Sequence, residues 1–254
     1  GVELIDIADP KTPAHISTVR TGEAQSVVVR NQFLYVGVWA SSEVVVVDVA
    51  DPRRPKVTSR VPLDGYGDGV EVRNGHLYVT TGHHSRATPR RKPGDPGFGH
   101  GHGLEIFDLQ DPACPQFVSR IKFPPLYEIG NDMWSVTVAG RHAFVADTYN
   151  GAFVVDVSDP AAPKLVARCQ LPAVDGRERR GFVGGLAVVK DHLYLAGGYT
   201  DLHVVPALGL AIPPVAKADT YPRLGPAESP PGEPGPGRRY LTAGQVHAVA
   251  VLPD

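Results

Sequence analysis

Val44-Val45-Val46-Val47-Asp48-Val49-Ala50-Asp51-Pro52, closed by Pro55, is the stretch that decides the fold. The same phrase, an apolar β-branched run ending in Asp and followed by Asp-Pro, occurs three more times. It reads Val2-Glu3-Leu4-Ile5-Asp6-Ile7-Ala8-Asp9-Pro10, then Leu104-Glu105-Ile106-Phe107-Asp108-Leu109-Gln110-Asp111-Pro112, then Phe153-Val154-Val155-Asp156-Val157-Ser158-Asp159-Pro160. The Asp-Pro junctions begin at 9, 51, 111 and 159, in steps of 42, 60 and 48 residues. A unit of that length cannot bury its own apolar face and must stack on its neighbours.

A second phrase lies between the first ones. Ser26-Val27-Val28-Val29 leads to Phe33-Leu34-Tyr35-Val36, and Gly69-Val70-Glu71-Val72 leads to His76-Leu77-Tyr78-Val79. It returns as Ser135-Val136-Thr137-Val138 with His142-Ala143-Phe144-Val145, and as Leu186-Ala187-Val188-Val189 with His192-Leu193-Tyr194-Leu195. The link in the second case, Arg73-Asn74-Gly75, carries the Asn-Gly of a tight hairpin. Each unit thus supplies four short strands, at 27–30, 33–39, 43–49 and 56–61 in the first complete case. Four antiparallel strands in a unit of this size are the pattern of a propeller blade, and nearly continuous apolar runs fit sheets covered on both faces. No stretch holds a helical period over three turns. The expectation is an all-β propeller, one domain over 1–254, with about four complete blades and a partial one.

With these residues on the page, the chain resembles the LVIVD-repeat family, β-propellers of bacterial and archaeal surface and secreted proteins. The resemblance covers about 1–205 and a final strand at 246–251. It implies an extracytoplasmic location and says almost nothing about activity. The chain opens on the third strand of a blade and closes on a first strand. That leaves either a five-bladed ring with one defective blade or part of a larger ring, and the mid-blade start favours the latter.

The 254 residues are 42% hydrophobic, with 28 glycines and 25 prolines, as expected where turns outnumber strands. A formal net charge of −2 provides no basic field for nucleic acid, and no apolar run is long enough to span a bilayer. The two cysteines, Cys114 and Cys169, fall too far apart on neighbouring blades to pair and are expected as free thiols. The Pro/Gly-rich segment 221–239 reads as a surface loop, and the blade it interrupts as degenerate.

The loops joining second to third strands, and those leading to the next blade, leave one face of a propeller. Here that face carries the long connections 62–68, 124–134 and 172–184 and a Gly/His-rich insertion at 82–103. Binding residues concentrate on loops held by a rigid scaffold. The neck of the insertion brings His83 and His84 opposite His100 and His102, which read first as a solvated Gly/His loop and alternatively as a set that could hold Zn²⁺, Cu²⁺ or Ni²⁺. Asp68, Trp134 and His247, with Asp132 in the adjoining acidic loop, are the expected ligand-lining set at the channel mouth. Turn capping for Asp68 and packing for Trp134 are the structural alternatives. The segment from Asp64 begins like a calcium loop, but Gly75 stands at its twelfth position where a bidentate Glu is required. The repeated aspartates 6, 48, 108 and 156, and 9, 51, 111 and 159, recur in every unit and read as structural.

There is no Gly-x-Ser-x-Gly, His-Glu-x-x-His, Walker loop or Cys-x-x-Cys-His, and no catalytic set is identified. The expected function is a non-enzymatic module that binds a small ligand or another protein through its loop face. The alternative is a metal-dependent enzyme using the histidine neck or the channel mouth.

Overall fold

The computed structural model describes residues 1–82, 101–123, 134–148, 150–169, 171, 182–197 and 202–207, together with the backbone of 238–240. Among these residues there is no helix. The chain divides into two compact units, Gly1–Arg120 and Ile121–Asp254.

The first unit opens with a two-stranded sheet, β1 (Val2–Asp6) and β2 (Ala14–Val19). Two four-stranded sheets follow. One is β3 (Ala24–Arg30), β4 (Phe33–Val38), β5 (Glu43–Asp48) and β6 (Lys56–Pro62). The next is β7 (Gly67–Arg73), β8 (His76–Thr81), β9 (Gly103–Asp108) and β10 (Gln116–Lys122), and the unit boundary falls inside β10. The second unit holds β11 (Ser135–Ala139), β12 (His142–Ala146), β13 (Ala152–Asp156) and β14 (Lys164–Cys169) in one sheet. Its other sheet is β15 (Gly185–Val189), β16 (His192–Ala196), β17 (Leu202–Pro206) and β18 (Arg238–Tyr240). Every sheet is a meander in chain order, as the repeat predicts.

The valine run of β5 shows why the sequence takes this form. Val44 and Val46 pack with Val70, Leu77, Val79 and Phe107 of the β7–β10 sheet. Val45 and Val47 face the other way, onto Leu34, Val36 and Val38, with Leu4 and Val19 of the β1–β2 sheet behind. All four valines are fully buried. A strand sandwiched between neighbours has no polar face, so period-two alternation disappears from its sequence. In the second unit Phe144 and Val154 pack in the same way onto Leu186, Leu193, Leu195 and Val205.

The aspartates explain the rest of the phrase. Asp6, Asp48, Asp108 and Asp156 each accept the backbone N–H two residues on, from Ala8, Ala50, Gln110 and Ser158. Asp9, Asp51, Asp111 and Asp159 do the same for Lys11, Arg53, Ala113 and Ala161. Two successive Asx turns carry the chain from third to fourth strand, and the proline then stops any further pairing. The register slips at the same place in three sheets, between Leu4 and Ile5, Val46 and Val47, and Val154 and Val155, just before the first Asp. This shared bulge adds twist to each outer strand pair.

Two details depart from the sequence reading. Arg238 and Arg239, assigned to the Pro/Gly-rich loop, begin β18, which pairs with β17 and completes the fourth four-stranded sheet. β7 starts at Gly67, so Asp68 lies within the strand and not ahead of it. Cys114 is exposed and Cys169 buried, both as free thiols. The strand at 246–251 lies outside the described residues.

Tyr35 ties neighbouring sheets of the first unit together, its hydroxyl donating to Pro112 O at 2.9 Å. Burial, and then the Asp111 charge, push that phenol up to about 12, so it remains a neutral donor.

His142, opposite Asp156 across β12 and β13, carries a pH dependence. Burial lowers its imidazole below the ordinary 6.5, Asp156 opposes that, and Arg141 adds to it. The unfolded chain therefore binds the proton more readily, and stability falls as pH drops from 6.5 through the lower folded value. At Asp156 burial works against the charge. The Ser158 hydrogen bonds, Arg141 and His142 outweigh it and hold the carboxyl below 3.8, so its own loss comes in a separate, more acidic window. Thermal melts between about pH 7 and about pH 5 should show a shallower fall in Tm for His142→Gln than for the parent. Parallel curves would rule the imidazole out as a source.

Candidate functional site

The two ends of these sheets differ in chemistry. At the Asp-Pro end, the carboxylates are consumed by their own turns. At the other end, where second strands turn into third strands, polar side chains are buried.

In the first unit this end is built on the row Gly67, Thr81 and Gly103 across β7, β8 and β9. Thr81 is fully buried, and its hydroxyl lies 2.5 Å from Gly101 O and 3.3 Å from Gly103 O, gripping the backbone on both sides of His102. Thr80 Oγ1 accepts the Gly69 N–H at 2.8 Å inside the bulge that β7 makes between Gly67 and Val70. Asp68 sits in that bulge, 4% exposed, and His102 is 1% exposed. Both sequence-predicted residues thus occupy the same end of one sheet, and both are buried.

The connection from β6 to β7 is pressed onto this end. Gly82 N donates to Tyr66 O at 2.7 Å, and the Tyr66 ring lies 4.2 Å from that of Trp39. A Cβ at Gly65 would collide with the carbonyl oxygens of Gly82 and Gly101, which is why the position needs glycine. Asp64 N donates to Glu105 Oε1 at 2.8 Å, and the Arg120 guanidinium reaches Asp64 at 3.7 Å and Glu105 at 3.5 Å. Glu105 is 1% exposed, a buried carboxylate held by a backbone donor and a cation.

The corresponding end of the second unit carries residues the sequence reading did not single out. Asp147, Thr148 and Asn150 are all buried. The turn closes through Asp147 N to Gly151 O at 2.8 Å and Asn150 N to Asp147 O at 2.8 Å. Thr148 and Val183 exchange backbone hydrogen bonds of 3.0 and 2.9 Å. Thr148 has φ of 44°, a left-handed conformation that a β-branched residue rarely adopts. Its hydroxyl and the Asn150 amide nitrogen are buried without a hydrogen bond among the described residues. Burying such groups unpaired costs free energy, and strain of this kind collects where ligands are held. The sequence hint was slight: Thr-Tyr-Asn-Gly following the second strand.

Trp134, the third predicted residue within view, belongs to this unit. It is 44% exposed and meets Phe182 edge to face at 5.0 Å, while its backbone N–H bonds to Ala146 O at 3.2 Å. His247, Asp132, His83, His84 and His100 lie outside the described residues. Among the described residues no three His, Cys, Asp or Glu side chains cluster as metal ligands would. No helix among them is long and apolar enough to cross a membrane.

Comparison with known proteins agrees with this architecture. The LVIVD-repeat family model matches residues 21–62 and 130–170, the spans of the β3–β6 and β11–β14 sheets. No curated protein matches the chain. Among solved structures, a functionally unknown protein from Desulfotomaculum acetoxidans is 14% identical with a TM-score of 0.55, over 83% of this chain and 63% of its own. A protein from Lactobacillus plantarum is also 14% identical, with a TM-score of 0.59 over 78% and 58%. The periplasmic gluconolactonase of Pseudomonas aeruginosa is 15% identical, with a TM-score of 0.57 over 80% and 58%. The chain spans about three fifths of the length of these structures. At such identities the likeness is one of fold. The chain is an all-β protein of the β-propeller class that carries the LVIVD repeat.

Proposed function

We propose that this protein is a non-enzymatic binding or assembly module, acting outside the cytoplasm, whose second-to-third-strand ends hold a small polar ligand or another protein. The observation that carries this reading is the turn at Asp147, Thr148 and Asn150, strained in its backbone and polar in its buried interior. Asp68 and His102 extend the same chemistry to the first unit. A likeness in fold to a gluconolactonase brings no activity with it, because function resides in sites and not in architecture.

The turn supplies its own test. Thr148→Gly removes the strain at positive φ and should raise stability by about 1 kcal/mol. If the strain serves binding, the same change weakens the thermal shift given by whichever member of a panel of sugars, amino acids and dicarboxylates stabilises the parent, and Asn150→Leu abolishes it. A ligand response equal in all three proteins would remove the second-unit turn from the reading.

A second reading, a metal-dependent enzyme, rests on His102, which is buried and gripped on both sides by Thr81. With His83, His84 and His100 it would offer imidazole ligands suited to Zn²⁺, Cu²⁺ or Ni²⁺. Elemental analysis after metal-replete expression separates the two. Stoichiometric metal lost on changing His100 and His102 supports the enzyme; none leaves the binding module.

A further inference from the structure

We propose that the cleft between the β3–β4 and β7–β8 turns, at the Asp-Pro end of the first unit, binds a small organic anion through Arg30 and Arg73. The cleft measures about 380 Å³, within the range of small-molecule sites. It lies at the opposite end of the sheets from the polar turns described above and owes nothing to them.

Three observations converge. First, Arg30 and Arg73 are the last residues of β3 and β7, neighbouring strands in equivalent register, and both line the cleft. Their equivalents in the second unit are Ala139 and Val189, so the repeat does not require a cation here. Second, neither guanidinium has a carboxylate partner among the described residues, whereas Arg54, Arg60, Arg120 and Arg141 each have one within 4 Å. The nearby Asp48, Asp108 and Asp111 turn their carboxylates into their own Asx turns. Third, the arginines share the lining with Asn31 and Asn74 and with Tyr35, Val72, Leu109 and Pro112, and the Tyr35 hydroxyl is already committed to Pro112 O.

Two uncommitted forks in a cleft whose lining is mainly polar, with apolar surface from Val72, Leu109 and Pro112, fit a ligand with a doubly charged head and a short carbon body, a dicarboxylate or a phosphate ester. Arginine holds such groups bidentately and is less strongly hydrated than lysine, so it gives up water to them more easily.

Titration at low salt with phenyl phosphate, phthalate and inorganic phosphate, followed by calorimetry and by amide shifts at Asn31 and Gly75, tests the assignment. Phenyl phosphate or phthalate should bind saturably with Kd on the order of 0.1–1 mM, and inorganic phosphate more weakly. Arg30→Gln and Arg73→Gln should each weaken binding by about tenfold, and the pair should abolish it. Arg53→Gln, an exposed arginine outside the cleft, should leave it unchanged. All three arginines are exposed, so the melting temperatures of the four variants should match and a folding defect is separable from a binding one. Phthalate without phenyl phosphate would support the carboxylate source, and the reverse the phosphate one. No saturable binding of either at ~10 mM, or equal binding by the double variant, overturns the site. Inorganic phosphate binding as tightly as phenyl phosphate overturns the preference for an organic body.

Discussion

Gly37→Ala should destabilise the protein by about 3 kcal/mol, a loss far beyond that of an ordinary surface glycine. Gly37 is the penultimate residue of β4, and a Cβ there would run into the backbone carbonyl oxygen of Asp68 on β7 of the neighbouring sheet, with Val70 behind it at 3.4 Å. Backbone cannot swing aside as a long side chain can. The two sheets would have to part, and Val44, Val46, Leu77 and Val79 lie buried in their interface. The sequence alone does not flag the position, since its repeat equivalents are Thr80, Ala146 and Ala196 and each accepts a side chain. The requirement arises from the bulge at Asp68, which pushes that carbonyl toward β4. Gly75→Ala is the control. Nothing lies within 4 Å of a Cβ there, and only its φ of 75° is unfavourable, so about 1 kcal/mol is expected. The measurement is urea unfolding of both variants. A Gly37→Ala loss no larger than the Gly75→Ala loss would mean that the sheets do not meet so closely.

The parts of this fold that recur in sequence were legible, and the parts that do not recur were not. Asp48 and Asp51 announce a third strand, two turns and a fourth strand, because each link is local and repeated. β18 was missed because thirty-one residues separate Pro206 from Arg238 and the Asp-Pro signal is absent, leaving only pairing with β17 to define it. Asp68 and His102 were singled out as candidates by their chemistry, although their burial was not foreseen: it depends on Thr81 and on the glycines that let connections close over them. Thr148 and Asn150 carry no charge, and only the Thr-Tyr-Asn-Gly stretch hints at them. What distinguishes them is a backbone angle and a lack of water, and neither is written in a single residue.

Arg120→Ala should cost about 2 kcal/mol, and the reason is a register that the sequence does display. Arg60, Arg120 and Arg168 each stand twelve residues after the strand-ending Asp48, Asp108 and Asp156. Arg60 pairs across with Val45, Arg168 with Phe153, and Arg239 of β18 with His203. The outer strand thus repeats an arginine while its partner varies, and each described guanidinium finds a different use. Arg60 bonds to Glu43 at 2.7 Å and reaches Thr21 O, and Arg168 lies over the Phe153 ring at 5.9 Å. Arg120 alone among them faces a carboxylate that is 1% exposed, Glu105, where the repeat has valine in the preceding sheet. Removing the cation takes from that buried charge its arginine partner. The penalty for a fully buried pair runs to about 3–5 kcal/mol, but Arg120 is 40% exposed and water will enter where it stood, hence the lower figure. Arg120→Lys should recover part of the loss, since it restores charge without the fork that spans Asp64 and Glu105. Glu105→Val in the Arg120→Ala background is the decisive comparison. It gives up the Asp64 N–H hydrogen bond, worth about 1 kcal/mol, yet removes the buried carboxylate that has lost Arg120 and installs the residue that Val45 shows the register accepts. The double variant should therefore be more stable than Arg120→Ala alone, with a coupling energy of about 1–2 kcal/mol in the cycle. Additive losses would mean that the two side chains act independently and that Glu105 is neutralised by some other group.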